Sequence, residues 1–157
     1  MLTFTVYGRP APKGSMRGVV AYRRSKGYRV QMFNDNPRTS TWQELVAFAA
    51  CAARARLQRS DVLYGKRVPV SVVLAFLLPC PVKLRTRRDA RPTSKRDDLD
   101  KLQRALFDAL TGVVWHDDAQ VVHVSASKRY AREGERVGVH VQISGVDEPC
   151  PTSVDAL

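Results

Sequence analysis

The chain lacks most of the features that place a sequence quickly. It has three cysteines in 157 residues, Cys51, Cys80 and Cys150. Their odd number and wide spacing, with no CxxC pair, argue against a disulfide framework and offer no zinc pattern, so reduced, structural thiols are expected. No apolar run approaches the roughly 18 to 20 residues that a membrane span needs. The N-terminus MLTFTVYGRP lacks the charged start and apolar core of a signal peptide. These absences predict a soluble, intracellular protein of the cytoplasm with no membrane partner. Negative charge is also scarce, since 15 Asp and Glu face 26 Lys and Arg, for a formal net charge of +11.

What is present is a chain long enough for one cored domain, with 44% hydrophobic residues. So lopsided a charge attracts polyanions, most commonly nucleic acid. The basic residues also cluster. Between Lys83 and Arg96 the chain reads KLRTRRDARPTSKR, where Lys83, Arg85, Arg87, Arg88, Arg91, Lys95 and Arg96 face the single acid Asp89. A second basic stretch from Lys13 to Arg29 interleaves Arg17, Arg23, Arg24 and Lys26 with Tyr22 and Tyr28. Phosphate contacts from such stretches make binding salt-dependent, and the tyrosines can stack on exposed bases.

Periodicity predicts a mixed α/β (α+β) architecture. LTFTVYG alternates as a strand, and the prolines and glycine of RPAPKGS then impose a loop. VVAYRR and YRVQMF flank SKG as a hairpin. Trp42, Leu45, Val46, Ala49, Ala53 and Leu57 recur at helical spacing, predicting a helix over 41–58 with Thr39, Ser40 or Thr41 as N-cap. RVPVSVVLAFLL reads as a central buried strand. Leu99, Leu102, Leu106, Ala109 and Leu110 predict a second helix over 98–111, ended by Gly112. VVW is expected as a short strand, HDD as a polar interruption, then a longer strand from Val121 and a last one in RVGVHVQISG. The folded domain is expected over 1–145, with a flexible tail over 146–157. Trp42 and Trp115 are assigned to the core, and His123 and His140, which alternate with valines, to exposed sheet faces.

The acids carry the functional signal. Asp97, Asp98, Asp100, Asp108, Asp117 and Asp118 are six of the fifteen, and they fall within 22 residues, directly after the most basic segment. Helix chemistry accounts for part of this, because carboxylates in a first turn complement the macrodipole and cap free amides, and Asp100, Arg104 and Asp108 are spaced for i,i+4 ion pairs. It leaves Asp117 and Asp118 unexplained. A divalent-cation site gives both groups a role: Asp98 and Asp100 project to one side where the chain enters the helix, and Asp117 or Asp118 supplies a third carboxylate. All-oxygen ligation suits Mg²⁺ or Mn²⁺, and basic flanks that hold phosphates make the sum a phosphodiester-cleaving site.

The run DDLDKLQRALFDALTGVVWHDDAQVV combines DxD, LxxxxxDAL, a glycine turn, an aromatic residue and DDxQ, and it resembles the RusA family of Holliday-junction resolvases. The segment GRPAPKG, residues 8–14, is similar to that family's N-terminal loop. The resemblance implies a RusA-like fold, a mixed sheet with two main helices, acting as a homodimeric Mg²⁺-dependent endonuclease that resolves four-way DNA junctions by paired nicks. It places the family's paired acids on Asp98 and Asp100 and its acidic dyad on Asp117 and Asp118, with Asp118 the ligand. Two positions depart from the family pattern: Lys101 stands where an Asn often follows DxD, and Arg104 where a functional Lys is usual. Arginine keeps the charge and can hold a phosphate bidentately, but does not readily give up a proton. Lys13, Arg17, Arg87, Arg88, Lys95, Arg96 and Lys101 are the candidate DNA contacts. A basic nucleic-acid-binding protein without nuclease activity, or a metal nuclease for other branched or single-stranded substrates, is the alternative.

Overall fold

The structure is a computed structural model describing residues 1–14, 16–23, 27–34, 36–57, 62–82 and 97–146. The basic segment 83–96 and the tail beyond 146 lie outside these residues, and so do the expectations placed on them. Eight principal elements follow in chain order. They are β1 (Leu2–Tyr7), β2 (Met16–Arg23), β3 (Gly27–Asn34), α1 (Arg38–Ala55), β4 (Val70–Leu78), α2 (Leu99–Leu110), β5 (Val121–Tyr130) and β6 (Gly138–Gly145). A mixed four-stranded sheet has the order β1-β6-β4-β5, and β2 and β3 form a separate antiparallel hairpin.

The aliphatic run of β4 sits between β6 and β5, antiparallel to the first and parallel to the second, but its burial alternates over most of its length and Val73 is exposed, because the helices cover only one face of the sheet. The parallel pair follows from the crossover through α2, which returns the chain to the starting end of β4. Register aligns Val72 with Ile143, Leu74 with Val141 and Phe76 with Val139, and β1 extends the same rows through Leu2, Phe4 and Val6. These side chains are buried in one cluster with Trp42, Val46, Ala50, Leu102, Leu106, Leu110 and Trp115, so both helices cover one face of the sheet. The registered rows of the other face carry Thr3, Thr5, Ser71, Ser125, His140 and Gln142. His123 and His140 are exposed, as expected, and Thr5 Oγ1 lies 2.9 Å from His140 Nδ1.

Three local expectations need correction. α1 begins at Arg38 rather than at residue 41, because Thr39 is buried inside the first turn and its hydroxyl donates to the Pro12 carbonyl at 3.0 Å. It also ends earlier, leaving Leu57 exposed. Val113–Trp115 is a tight turn rather than a strand, since the amides of Val113 and Val114 both donate to the Leu110 carbonyl. Gly112, at φ 78°, reverses the chain in a conformation that suits glycine, and Trp115 packs edge-on against Phe107 with ring centroids 5.6 Å apart. The indole of Trp115 donates to Thr111 Oγ1 at 3.2 Å, so burial leaves it satisfied. Among the described residues no helix is long and apolar enough to cross a membrane.

Candidate functional site

The first carboxylate pair stands where α2 begins. Asp98 occupies the N-cap position, yet its side chain makes no capping bond. Capping therefore does not consume it. Asp98 pairs with Lys101 at 3.3 Å and Asp100 with Arg104 at 3.3 Å, all four side chains being largely exposed. Ion pairs this open to water hold their partners weakly and yield readily to a cation or a phosphate. The residue before the cap, Asp97, has φ 53°, and its carbonyl accepts a hydrogen bond from Lys128 Nζ at 3.0 Å, which ties the start of the helix to β5.

The second pair belongs to the turn that enters β5. Asp117 accepts from the Ala119 amide at 2.8 Å, and Gln120 Oε1 accepts from the amides of His116 at 2.8 Å and Asp117 at 3.2 Å. The result is a capping box around the single 3₁₀ turn Asp118–Gln120. Gln120 is buried, and its Nε2 donates to the carbonyls of Gly65 at 2.7 Å and Val68 at 3.0 Å. Asp118, by contrast, is exposed, and no hydrogen bond or ion pair holds its carboxylate among the described residues. Beside this turn lies an open cleft of about 480 Å³, walled by Lys66, Arg67, Pro69, Asp117, Ala119 and Val122.

One chain does not bring the two pairs together. α2 has 12 residues, about 18 Å at ~1.5 Å per residue. Asp98 and Asp100 stand at its start, beside Lys128 near the end of β5, whereas Asp117 and Asp118 precede the beginning of β5. Lys128 is seven residues beyond Val121 along that strand, roughly 23 Å away at ~3.3 Å per residue. Consistently, among the described residues no three His, Cys, Asp or Glu side chains form a group able to hold a metal ion. The set Asp98, Asp100 and Asp118 is not assembled within a single chain.

The candidate DNA contacts divide similarly. Lys13 pairs with Asp108 at 2.6 Å, and its amide donates to the Lys101 carbonyl at 2.9 Å, so it fastens the Pro-rich loop to α2. That partner replaces the Arg104–Asp108 pair which the spacing allowed. Arg17 lies on β2, while Arg87, Arg88, Lys95 and Arg96 fall outside the described residues. On the hairpin, Tyr22 and Tyr28 sit opposite each other, both exposed, with ring centroids 5.0 Å apart. Sequence reasoning missed four residues. Lys128 and the pair Lys66–Arg67 carry no local motif, and Gln120 was visible only as the last letter of DDxQ.

Residues 11–143 match the sequence model of the family described as Endodeoxyribonuclease RusA. A protein of Bacillus subtilis strain 168, Uncharacterized protein YqaN, is 28% identical over 141 residues, 84% of this chain and 89% of the relative. Crossover junction endodeoxyribonuclease RusA of Escherichia coli K12 is 39% identical over 80 residues, which is 50% of this chain and 66% of that protein. The protein of the same description from Enterobacteria phage 82 is 42% identical over 80 residues, with the same shares.

Proposed function

The chain belongs to the RusA family of endodeoxyribonucleases, and from that premise we propose that it resolves four-way DNA junctions as a twofold-symmetric homodimer that uses Mg²⁺, with Mn²⁺ as a substitute. The observation that carries this reading is the placement of the two carboxylate pairs at opposite ends of α2 and β5. A second copy running antiparallel along β5 sets its own Asp117 and Asp118 against Asp98 and Asp100 of the first, and the twofold generates the same meeting again. Two identical sites at a fixed separation suit two opposed nicks.

The donor set fits the ion. Every proposed ligand is a carboxylate oxygen, Asp98, Asp100 and Asp118 are exposed, and none of the three is spent on a helix cap. Asp98 and Asp100 of one copy, with Asp118 of the other, would hold the cation. Bound there, it would activate the attacking water and stabilise the leaving oxygen. Asp117 keeps the turn in shape through its bond to Ala119 and so sets the direction of Asp118. Once Asp100 was engaged by the cation, Arg104 would be free to hold a non-bridging phosphate oxygen; a guanidinium keeps its proton, so this residue stabilises charge and transfers none. Tyr22 and Tyr28 offer rings to the bases exposed where the strands cross.

The test incubates the protein with a synthetic four-way junction and with linear duplex, each in Mg²⁺ and in EDTA. Junction nicking that requires Mg²⁺ is expected. Junction binding without cleavage would favour a binding protein, and equal cutting of linear duplex a nuclease of other specificity. Mixing Asp100→Asn with Asp118→Asn then tests the shared site. Each variant alone is expected to be inactive, but a heterodimer retains one intact site, so the equimolar mixture should regain about a quarter of the wild-type sites. No recovery would place each full ligand set within one chain.

A further inference from the structure

The turn that precedes β4 has the construction of a phosphate clamp. Lys66 and Arg67 are its two central residues, since the Val68 amide donates to the Gly65 carbonyl at 3.0 Å and closes the turn around them. Both side chains are exposed, and neither is ion-paired among the described residues. Surface cations are usually carried on compliant backbone, but this turn is fastened at several points. The Tyr64 amide donates to the Val114 carbonyl at 3.0 Å and the Tyr64 hydroxyl to the Ile143 carbonyl at 3.2 Å. Gln120 Nε2 grips the carbonyls at both ends of the turn, Gly65 and Val68, while its Oε1 holds the amides of His116 and Asp117. One buried amide thus uses all four of its hydrogen-bonding positions to lock a two-cation turn to the acidic turn.

Between the two turns lies the open cleft of about 480 Å³, within the ~300–1,000 Å³ range of sites that take small ligands or single residues of a polymer. Its lining combines the apolar Val68, Pro69, Ala119 and Val122 with Lys66, Arg67, Asp117 and Gln120. Two cations beside an apolar lining suit a nucleotide unit, with phosphate on Lys66 and Arg67 and sugar against Val68 and Pro69.

We propose that Lys66 and Arg67 bind a backbone phosphate of the DNA strand next to the one that is cut, and that Gln120 is the positioning residue that holds this clamp in register with Asp117 and Asp118. This rests on the nuclease reading above. It extends that reading by adding a strand-holding subsite whose rigidity fixes how far the held phosphate lies from the carboxylates. In this arrangement Gln120 touches no DNA and acts only through the two turns.

Affinity for a four-way junction, measured in EDTA across a salt series, separates the two ideas because it requires no cleavage. Lys66→Ala/Arg67→Ala should weaken binding on the order of 10-fold or more at moderate salt, and flatten the slope of log affinity against log salt by about one, as loss of one neutralised phosphate requires. Uncharged methylphosphonates placed one at a time beside the nick should reveal one position that weakens the wild type but adds nothing in the double variant. Gln120→Leu should keep the salt slope while lowering the nicking rate of bound junction in Mg²⁺, with Gln120→Glu recovering little because it loses two donors. A double variant with the wild-type slope, or with an undiminished methylphosphonate effect at every position, would overturn the clamp and leave the nuclease reading intact. A wild type that binds no junction would overturn both.

Discussion

Lys128 Nζ lies 3.0 Å from the backbone carbonyl of Asp97, which has φ 53° and is the only residue besides glycine with a positive φ among those described. The bond turns the chain into α2 and aims Asp98 and Asp100, so a lysine far along β5 orients the carboxylates without touching them. Lys128→Met is expected to lower stability by about 1–2 kcal/mol and to reduce nicking more than junction binding. Asp97→Gly relieves the left-handed backbone and should match or exceed the wild-type Tm, while Asp97→Ala should fall below it. Thermal unfolding with parallel cleavage assays reads all three, and unchanged nicking in Lys128→Met would deny the brace a role.

The carboxylates themselves make a sharper case. Asp98→Asn, Asp100→Asn and Asp118→Asn should each nearly abolish cleavage while junction binding holds or tightens, because each removes negative charge that faces phosphate. Asp117→Asn should do less harm, since asparagine serves the same cap toward Ala119. Asp117→Ala should lose about 1 kcal/mol of stability as well. Gel assays on one labelled junction read cutting and binding together. Full activity in Asp100→Asn would remove the site.

These residues also mark how much was legible beforehand. The leucine stripe of α2 and the aliphatic run of β4 declare themselves because helix period and strand-forming aliphatic runs are local properties, although β4 buries mainly one face and leaves Val73 exposed. DxD and DDxQ were visible too, yet their 17-residue spacing conceals a helix that carries the pairs to opposite ends of the sheet. Gln120 fits the D-x-x-Q capping pattern, but its donors end on Gly65 and Val68, more than 50 residues earlier. Lys13 looked free for DNA until α2 delivered Asp108 to it. Val113–Trp115 has the composition of a strand, but among the described residues no distant strand pairs with it. In each case the missing information was a partner distant in sequence.

The basic segment Lys83–Arg96 is proposed to supply the nonspecific grip. If Lys83–Arg96 follows the backbone, replacing Arg87, Arg88 and Lys95 with alanine should weaken binding to any junction sequence alike and flatten the salt dependence by about three. Titrations at several salt concentrations read this directly. An unchanged slope would make the segment a solvated surface.

Acid sensitivity has a local source in the β5–β6 connection. Arg129 grips both oxygens of Glu135, at 2.5 and 2.9 Å, and the Arg132 amide adds a bond at 2.7 Å. These contacts, with the Arg129 side-chain bond foremost, lower the Glu135 carboxyl from 4.5 to about 2. A lowered folded-state value means the contribution is complete above pH 4.5 and is lost as pH falls towards about 2. Glu135→Gln should therefore melt below the wild type at pH 7, and the gap should close between pH 4.5 and about 2. Melting curves over that range test it, and a gap of constant size would mean that ionisation of Glu135 contributes nothing.

Assembly is the requirement on which the proposed chemistry depends most. The alanine-rich side of α1 is a poor seam, since Ala50 is wholly buried inside the protomer. Its exposed side still offers Leu45 and Phe48, the latter 76% exposed. β5 is the better candidate. It is an outer strand of the sheet, 10 residues long and free of proline, with Val122 61% and Val124 38% exposed, and its free edge is unpaired among the described residues. Such an edge invites a second strand. An antiparallel partner centred near Val124 would also carry Asp118 of one copy to the Lys128 end of the other, where Asp98 and Asp100 stand. Val122→Lys/Val124→Lys sets like charges against each other across that seam and is expected to yield folded monomers at micromolar concentration that bind DNA weakly and do not nick it. Phe48→Glu should remain dimeric and active. Light scattering with circular dichroism reads both, and a doubly substituted protein that stays dimeric, or a Phe48→Glu variant that falls apart, would move the seam from β5 to α1.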